Sequence, residues 1–533
     1  MDPKSASYSS SYDSSSRDRS RFGIYDNDDG GVRKRESRTA VRLRRNKRED
    51  LQDRDPQENI ETASTDAEMI MEDIAGAVML LHNATPEIAI PSLQYLAEVT
   101  SDPNKLKVID LFQSNLIDSI SPFLSYFDFP QCQIAVLSIL ANISTKIFTF
   151  EASAIVFSSC GLLLPQLLQS PNLEIVEKAA SVIGNVGDAR DQVINYLFSL
   201  GVVDPIIAFF NNPNLTPTQR LSSLHALRCL CGGRDRPSTR TQLKRLEANE
   251  SPFSDVEFRE DLEKLTAEFP HIASYLWDDS PATLDIVTSC LNRLAFRNVV
   301  ALSNLPNNGI DDILLQHLQN IPNNKIQTRI LVLFGCFINM GLSYTQHLVN
   351  KGIVPILSQL LLSTQFPDVQ TEIAWVSAGI IVGSHDLARL VLDVRIPYHF
   401  IQMKNKLSTK GKLEFSYLLV SLLKKYGQCA KDLINQGMVP CVVELLQEKN
   451  DDTIYNSLQC LYLLMNMGIQ DMHEKHQSGD DDATNLVEDL IHRVDGVTAI
   501  AQFTNDRDDN IRELSQDICD LFTDDPKYRT DSN

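Results

Sequence analysis

The 533-residue chain has few tryptophans, no C-x-x-C cysteine pair and no long apolar run, and each shortage narrows the class of protein. Its 10 cysteines are scattered without a C-x-x-C pair, which predicts small buried thiols of a reducing compartment. The longest apolar run, residues 330–338, is much shorter than the roughly 20 residues that a membrane-spanning helix needs. No apolar segment near the N-terminus suggests secretion, so we expect a soluble intracellular protein without membrane insertion.

Sequence motifs of catalysis are missing as well. The chain contains no phosphate-binding Walker loop, no Gly-rich loop after a strand and no nucleophile elbow, so we expect neither an enzyme nor a cofactor. His473 and His476 precede the acidic run 480–482, and together they could form a weak metal site. Because the surrounding stretch is polar, we favour a flexible loop at this position and expect no metal.

The charge of the chain is acidic overall but unevenly distributed. Acidic residues outnumber basic ones, 70 to 49, and the net charge of −21 argues against a general nucleic-acid binder. Residues 31–50 nevertheless hold nine basic and three acidic side chains, a local charge of +6, which leaves −27 for the remainder. The pattern predicts a basic arm attached to an acidic body.

A helix–glycine–helix unit recurs along the chain. In residues 177–210, an amphipathic stretch, a break at 187–189 and a second apolar stretch lead to Gly201, and another apolar stretch follows around Pro205. Where units are contiguous, the equivalent position returns after 40 to 46 residues. The positions that precede the same apolar pattern are Asn115, Gly161, Gly201, Gly309, Gly352, Arg395, Gly437 and Gly496.

A repeat of roughly 40–47 residues built only from helices is typical of armadillo and HEAT proteins. One such unit cannot bury its own apolar face, and stacked neighbours form a continuous core. The sequence therefore predicts an all-α fold, a right-handed α-solenoid of about nine to ten armadillo repeats. We expect a disordered segment over 1–30, the basic arm over 31–58, the solenoid over 67–523 and a disordered tail over 524–533.

The basic arm has a two-part pattern. Arg33-Lys34-Arg35 is followed, after a spacer, by Leu-Arg-Arg-Asn-Lys-Arg-Glu at 43–49. By composition alone this is a solvated charge run or a nuclear-localisation tract. The pattern resembles, without a gap, the importin-β-binding domain of importin-α, and the resemblance extends over nearly the whole chain. It implies that importin-β binds Arg33, Lys34, Arg35, Leu43, Arg44, Arg45, Lys47 and Arg48.

Importin-α is a nuclear-import adaptor, and the resemblance implies the same activity here. The implied partners are importin-β, cargo proteins that carry a lysine-rich nuclear-localisation signal, and a recycling exporter. The implied location is the cytoplasm and the nucleus, with shuttling between them. In that family, Trp-x-x-x-Asn pairs on the third helix of each repeat line the groove that holds the signal peptide.

This sequence retains only part of that array. The resemblance assigns the cargo signal to Ser138, Asn142, Ser181, Asn185, Asp188 and Trp375. In other repeats both members of the pair are replaced, giving His225 with Cys229, Leu333 with Phe337, and Tyr417 with Ser421. The second tryptophan, Trp277, falls outside this register, and we expect it to pack in the protein. Each lost indole removes about 0.5–2 kcal/mol of lysine binding, so a weak lysine site is expected.

Two alternatives remain open at this point. The asparagines could form hydrogen bonds within the solenoid instead of binding a peptide. The whole chain could likewise be an armadillo scaffold or regulatory protein that keeps importin-β binding and has lost lysine-signal transport. The arm also departs from the family, because Arg54, Asp55 and Pro56 stand where a second basic cluster is expected, which predicts weak occupation of the groove by the arm.

Overall fold

The computed structural model describes residues 70–108, 115–145, 159–186, 191–232, 259–278, 280–297, 299–306, 309–480 and 483–523. The predicted N-terminal segment, the basic arm and the C-terminal tail lie outside these described residues, as do residues 233–258. All regular secondary structure in the described part is helical, which agrees with the predicted all-α class. The chain divides into two compact units, Met1–Ala301 and Leu302–Asn533.

The first unit begins with a helix over residues 70–81, here α1. It continues with α2 (Pro86–Ser101), α3 (Pro103–Val108), α4 (Leu116–Ile120), α5 (Pro130–Thr145), α6 (Ser159–Leu167), α7 (Leu173–Val186), α8 (Asp191–Ser199), α9 (Val203–Phe210), α10 (Pro217–Leu230), α11 (Arg259–Ala267), α12 (Phe269–Ala273) and α13 (Pro281–Arg297). Short 3₁₀ turns cover Ser121–Ser125 and Ser274–Trp277.

The second unit repeats the same three-helix order with greater regularity. Its helices are α14 (Ile310–Asn320), α15 (Asn324–Ile338), α16 (Leu342–Asn350), α17 (Ile353–Ser363), α18 (Pro367–Gly383), α19 (His385–Asp393), α20 (Ile396–Met403), α21 (Thr409–Lys425), α22 (Ala430–Asn435), α23 (Met438–Leu445), α24 (Asp451–Gln477), α25 (Leu486–Arg493), α26 (Gly496–Ala501) and α27 (Asp509–Thr523).

The longest helix of each repeat, here called the third helix, packs against the third helices of the neighbouring repeats. In the first unit the contacts run in the order α2, α5, α7, α10 and α13, and in the second unit in the order α15, α18, α21, α24 and α27. The second helices α14, α17, α20, α23 and α26 form another row in the second unit, and the apolar core lies between the rows. The described residues thus contain ten stacked third helices, as expected for a solenoid.

The starts of the third helices follow from local sequence. Proline is the first residue of α2, α5, α10, α13 and α18, where its fixed φ suits the first turn and its missing N–H is not needed. The side chains of Asn323, Ser408 and Asn450 cap α15, α21 and α24 by accepting a hydrogen bond from a backbone N–H in the first turn. Eight of the ten third helices therefore have a start signal of one of these two kinds.

The recurring position between helices is left-handed, as the glycine ladder predicts. Gly201, Gly309, Gly352 and Gly437 have φ values between 72° and 89°. Asn115 and Arg395, the two ladder positions that lack glycine, have the same conformation, with φ of 48° and 64°. The left-handed conformation turns the chain from one helix into the next. The backbone conformation therefore recurs with the same period as the apolar residues.

Three local predictions were wrong. Gly161 lies inside α6 rather than before a helix. The left-handed residue of the last repeat is Asp495, with φ of 54°, and Gly496 is the first residue of α26. His473 and His476 do not lie in a loop, because α24 continues as far as Gln477. Polar residues can extend a helix beyond its packed part when the helix is already nucleated.

The cysteines are buried as predicted. Nine of them are buried, Cys519 is half-buried, and all ten are free thiols. No single described helix is long and apolar enough to cross a membrane. The part of α8 that begins at Val193 and the next helix, α9, together have the required length and composition. The chain bends by 86° between these two helices.

Candidate functional site

Asn142 and Asn185 occupy equivalent positions on α5 and α7, and both side chains reach back to the preceding third helix. Asn142 donates through Nδ2 to the backbone oxygen of Ala97 over 3.2 Å, and Asn185 donates through Nδ2 to that of Ala141 over 3.0 Å. The same bond thus recurs one repeat later. In Asn185 this bond takes one N–H of the half-buried amide, and the second N–H and Oδ1 can still bind a peptide backbone. Nδ2 of Asn142 also donates to Oγ1 of Thr100 over 3.2 Å, so Oδ1 is the group of this half-buried amide that remains for a peptide.

The predicted serines lie beside these amides. Ser138 is half-buried on α5, one turn before Asn142. Ser181 on α7 donates to the backbone oxygen of Glu177 over 2.9 Å and to Oγ of Ser222 on α10 over 3.3 Å. The structure therefore brings the four predicted residues of α5 and α7 together in a polar row. Asp188, assigned to the same site, lies outside the described residues.

Trp375 belongs to the second unit and is only 6% exposed. Its indole packs onto α15 at Gly335, where a Cβ atom would stand 1.8 Å from Cζ3 of the ring. In this arrangement the ring contributes to helix packing and offers little surface to a lysine stem. Its assignment to the cargo site remains a prediction that the structure does not support.

Glu372 is an acidic residue that sequence reasoning missed. It lies one helical turn before Trp375 on α18 and is 2% exposed. Oε1 of this carboxylate is 3.6 Å from Nζ of Lys410 on α21, the next third helix. The spacing of three residues from a tryptophan was the available signal, because residues three apart share a helix face. A lysine of the protein itself, Lys410, thus lies beside this buried acid.

The replaced positions divide into buried and accessible ones. Leu333 and Phe337 are fully buried, and Ser421 is 5% exposed, whereas Tyr417 is half-buried. Trp277, which we expected to pack, is 50% exposed at the end of a 3₁₀ turn, and that expectation was wrong.

The third helices α10 and α13 carry a group of cations that the sequence analysis also missed. Arg220, Arg228 and Arg293 are half-buried on these helices, next to His225. Nη1 of Arg293 donates to the backbone oxygen of Arg228 over 3.0 Å.

Two buried thiols of the second unit have strongly raised pKa values. Burial raises the pKa of the Cys429 and Cys441 thiols to about 12. Both thiols remain protonated at neutral pH and are poor nucleophiles. Within the described ranges, no cluster of three or more histidine, cysteine or carboxylate side chains could hold a metal ion.

Comparisons with known proteins agree with this architecture. A family model described as Armadillo/beta-catenin-like repeat matches residues 343–376, which cover α17 and parts of α16 and α18. Importin subunit alpha-6 of Arabidopsis thaliana is 23% identical over 244 residues, which make up 43% of this chain and 45% of the relative. The match thus spans less than half of the relative's length.

Solved structures are similar over a longer range. An engineered protein with a crystal structure matches 85% of this chain and 99% of its own, with 17% identity and a TM-score of 0.64. A designed armadillo repeat protein in complex with the peptide (KR)4 matches 48% of this chain with 14% identity and a TM-score of 0.40, too low to carry an argument. Together with the stacked third helices, the comparisons establish an all-α solenoid that contains an armadillo repeat.

Proposed function

We propose that this chain is a nuclear-import adaptor of the importin-α kind. In this proposal the third helices of the first unit bind the extended localisation signal of a cargo protein, and residues 31–58 bind importin-β. The protein shuttles between cytoplasm and nucleus and is returned by an exporter. The resemblance of the arm and the partial match to importin subunit alpha-6 support this proposal, although the arm itself lies outside the described residues.

The observation that carries the peptide-binding part is the repeated amide of Asn142 and Asn185. Packed helices lie roughly 8–10 Å apart, and an extended chain advances about 3.3 Å per residue. Amides on successive third helices therefore match every second or third residue of an extended peptide. Asn185 keeps a donor and an acceptor for that backbone, and Asn142 keeps the acceptor Oδ1, so the row can bind a chain without regard to its side chains.

The surrounding side chains predict weak binding of lysine signals. Ser138 and Ser181 stand where the family's indoles would be, and the indole of Trp375 is buried. The lack of accessible indoles favours a second candidate function. In this alternative the chain is an armadillo scaffold that binds importin-β through the arm and no longer transports cargo with lysine-rich signals. The two candidates differ in whether the first unit binds a signal peptide at all.

The test compares the full chain with the double variant Asn142→Ala/Asn185→Ala in titrations with a lysine-rich signal peptide. Two lost hydrogen bonds of about 0.5–1.5 kcal/mol each should weaken binding roughly 5- to 150-fold. The matched control is Asn214→Ala/Asn350→Ala, which removes two exposed amides and should not change the affinity. Circular dichroism melting and importin-β binding show whether each variant is folded.

The same preparation tests the arm. Reversing Arg44, Arg45 and Arg48 to Glu should abolish importin-β binding, because a polybasic segment needs charge-assisted contacts to offset its ordering. Unchanged affinity for importin-β would rule out the adaptor. A wild-type chain that binds importin-β but no signal peptide would favour the scaffold.

A further inference from the structure

The two asparagines of the first unit show which residue of α2 belongs to the same row. Asn185 donates to the backbone oxygen of Ala141, the residue before Asn142, over 3.0 Å. Asn142 donates in the same way to the backbone oxygen of Ala97, the residue before Glu98, over 3.2 Å. Glu98 on α2 is therefore the equivalent of Asn142 on α5 and of Asn185 on α7. The row begins with a carboxylate where the next two third helices have an amide.

The end of α2 holds this carboxylate on a fixed backbone. Nδ2 of Asn142 also donates to Oγ1 of Thr100 over 3.2 Å, and this buried hydroxyl is 2.8 Å from the backbone oxygen of Leu96. The two bonds tie α5 to the last turn of α2 on both sides of Glu98. The Glu98 side chain is exposed, and its carboxylate has no hydrogen-bond or ion-pair partner among the described residues. A ligand on the third helices can therefore reach it.

No cation on the adjoining helices neutralises this charge. The helix α5 has no charged residue. Neither α1 nor α2 has a basic residue, and their acidic residues are Glu72, Asp73, Glu87 and Glu98. The α2 end of the row is thus negative, and a positive group of a ligand is attracted to it.

An aromatic ring lies one helical turn before Glu98. Tyr95 is 40% exposed, and its hydroxyl donates to Oδ2 of Asp73 on α1 over 3.3 Å. Burial raises the pKa of Tyr95, and the charge of Asp73, this hydrogen bond and the charge of Glu98 raise it further. The Tyr95 hydroxyl therefore lies near both carboxylates. An exposed tyrosine ring also attracts a cation, so the ring and the carboxylates favour the same kind of side chain.

We propose that Glu98 determines the ligand class of the first unit by binding a lysine or arginine side chain of a peptide held by Asn142 and Asn185. A carboxylate only accepts hydrogen bonds, so the ligand group that meets it must donate, and a charged donor binds it most strongly. Since packed helices lie roughly 8–10 Å apart and an extended chain advances about 3.3 Å per residue, this basic residue lies two or three positions from the one at Asn142. This inference rests on the proposed function and adds a charge at one defined position.

The test measures binding of the full chain to a lysine-rich signal peptide at one fixed salt concentration. A set of peptides replaces each lysine in turn by norleucine, which keeps the methylene stem and removes the charge. Glu98→Gln should weaken binding of the parent peptide about two- to fivefold. In this variant the replacement of one particular lysine should no longer matter, whereas the other replacements should act as they do in the wild-type chain.

The matched control is Glu87→Gln, which removes another exposed carboxylate of α2, eleven residues earlier and about 16 Å away along the helix. It should leave the effect of every lysine replacement unchanged. An unfolded variant would lose all peptides, so a change confined to one position reports recognition. Equal effects of the two variants would mean long-range attraction only and would overturn the inference.

The outcome for Glu98 can be separated from that of the proposed function. If Asn142→Ala/Asn185→Ala loses the peptide while Glu98→Gln keeps its sensitivity to every lysine, the inference fails and the proposed function stands. If Glu98→Gln loses its sensitivity to one lysine while the asparagine variant binds normally, Glu98 binds the cation and the amides are not the peptide site. A wild-type chain that binds none of the peptides would overturn both.

Discussion

At the scale of single residues, the left-handed positions between helices do most to define the repeat. Glycine adopts this conformation at little cost, whereas a side chain costs roughly 1–2 kcal/mol. Four repeats use glycine, and Asn115, Arg395 and Asp495 accept the cost. Asparagine and aspartate reduce it through local hydrogen bonds, and the Arg395 guanidinium lies 5.4 Å from the centre of the Tyr398 ring, which contributes a cation–π attraction.

Substituting Gly352 by alanine should therefore destabilise the protein by about 1–2 kcal/mol. The space around Gly352 is empty within 4 Å, so the loss comes from the backbone alone. Gly76 is a matched control, since its surroundings are equally empty but it lies within α1. Alanine at that position should stabilise the helix by about 1 kcal/mol. Thermal melting compares the two variants, and a stabilised Gly352→Ala would contradict the assignment.

At the scale of helices, the third helices differ between the units. In the first unit they expose serine, asparagine, histidine and arginine to their common face. In the second unit α15 and the middle of α18 are nearly completely buried. The close approach of these two helices at Gly335 explains how an indole fits between them. Whether a tryptophan on a third helix packs inside the protein or can bind a ligand thus depends on how closely the neighbouring third helix approaches it.

The contact between Trp375 and Gly335 gives a prediction. Gly335→Ala would place a methyl group 1.8 Å from the ring, so the indole must move, with an expected loss of 1–3 kcal/mol or more. Gly379→Ala, whose Cβ would be 3.1 Å from Ile338, should be much milder. Thermal melting measures both. In a Trp277→Phe background, a red shift of tryptophan emission should accompany Gly335→Ala, and unchanged emission would show that the indole keeps its place.

At the scale of the whole molecule, the arm and the repeats have opposite charges. If the arm occupied the cargo groove, the apparent affinity for cargo would fall in proportion to the fraction of grooves that remain open. The C-terminal part of this arm has Asp55 beside Arg54, followed by Pro56, which restricts the backbone of Asp55.

We therefore expect the full chain and a truncated chain that starts at Gln57 to bind a lysine-rich signal peptide almost equally well without importin-β. The comparison requires one salt concentration, because salt screens attraction between distant charges. A tenfold or larger gain on truncation would mean that the upstream cluster Arg33-Lys34-Arg35 reaches the repeats. The protein would then be autoinhibited.

Sequence reasoning was sufficient for the repeat. Apolar periodicity and a recurring left-handed position are local properties, so the all-α class, the stacked third helices and six of the eight ladder positions could be read from single segments. The sequence-based prediction was wrong at Gly161 and at residues 473–477, because a helix continues through a single glycine in the first case and through a polar run in the second.

What the sequence alone determined is the solenoid and the register that places Ser138, Asn142, Ser181 and Asn185 on successive third helices. Only the tertiary structure decided which of these side chains are accessible and which cations face the same row. Trp375 and Trp277 show the physical reason. Exposure depends on how closely a neighbouring helix approaches, because Gly335 admits the indole of Trp375, which is 6% exposed, whereas that of Trp277 is 50% exposed. The exposure of these side chains depends on contacts between residues some 40 to 65 positions apart, and a short stretch of sequence carries no information about such contacts.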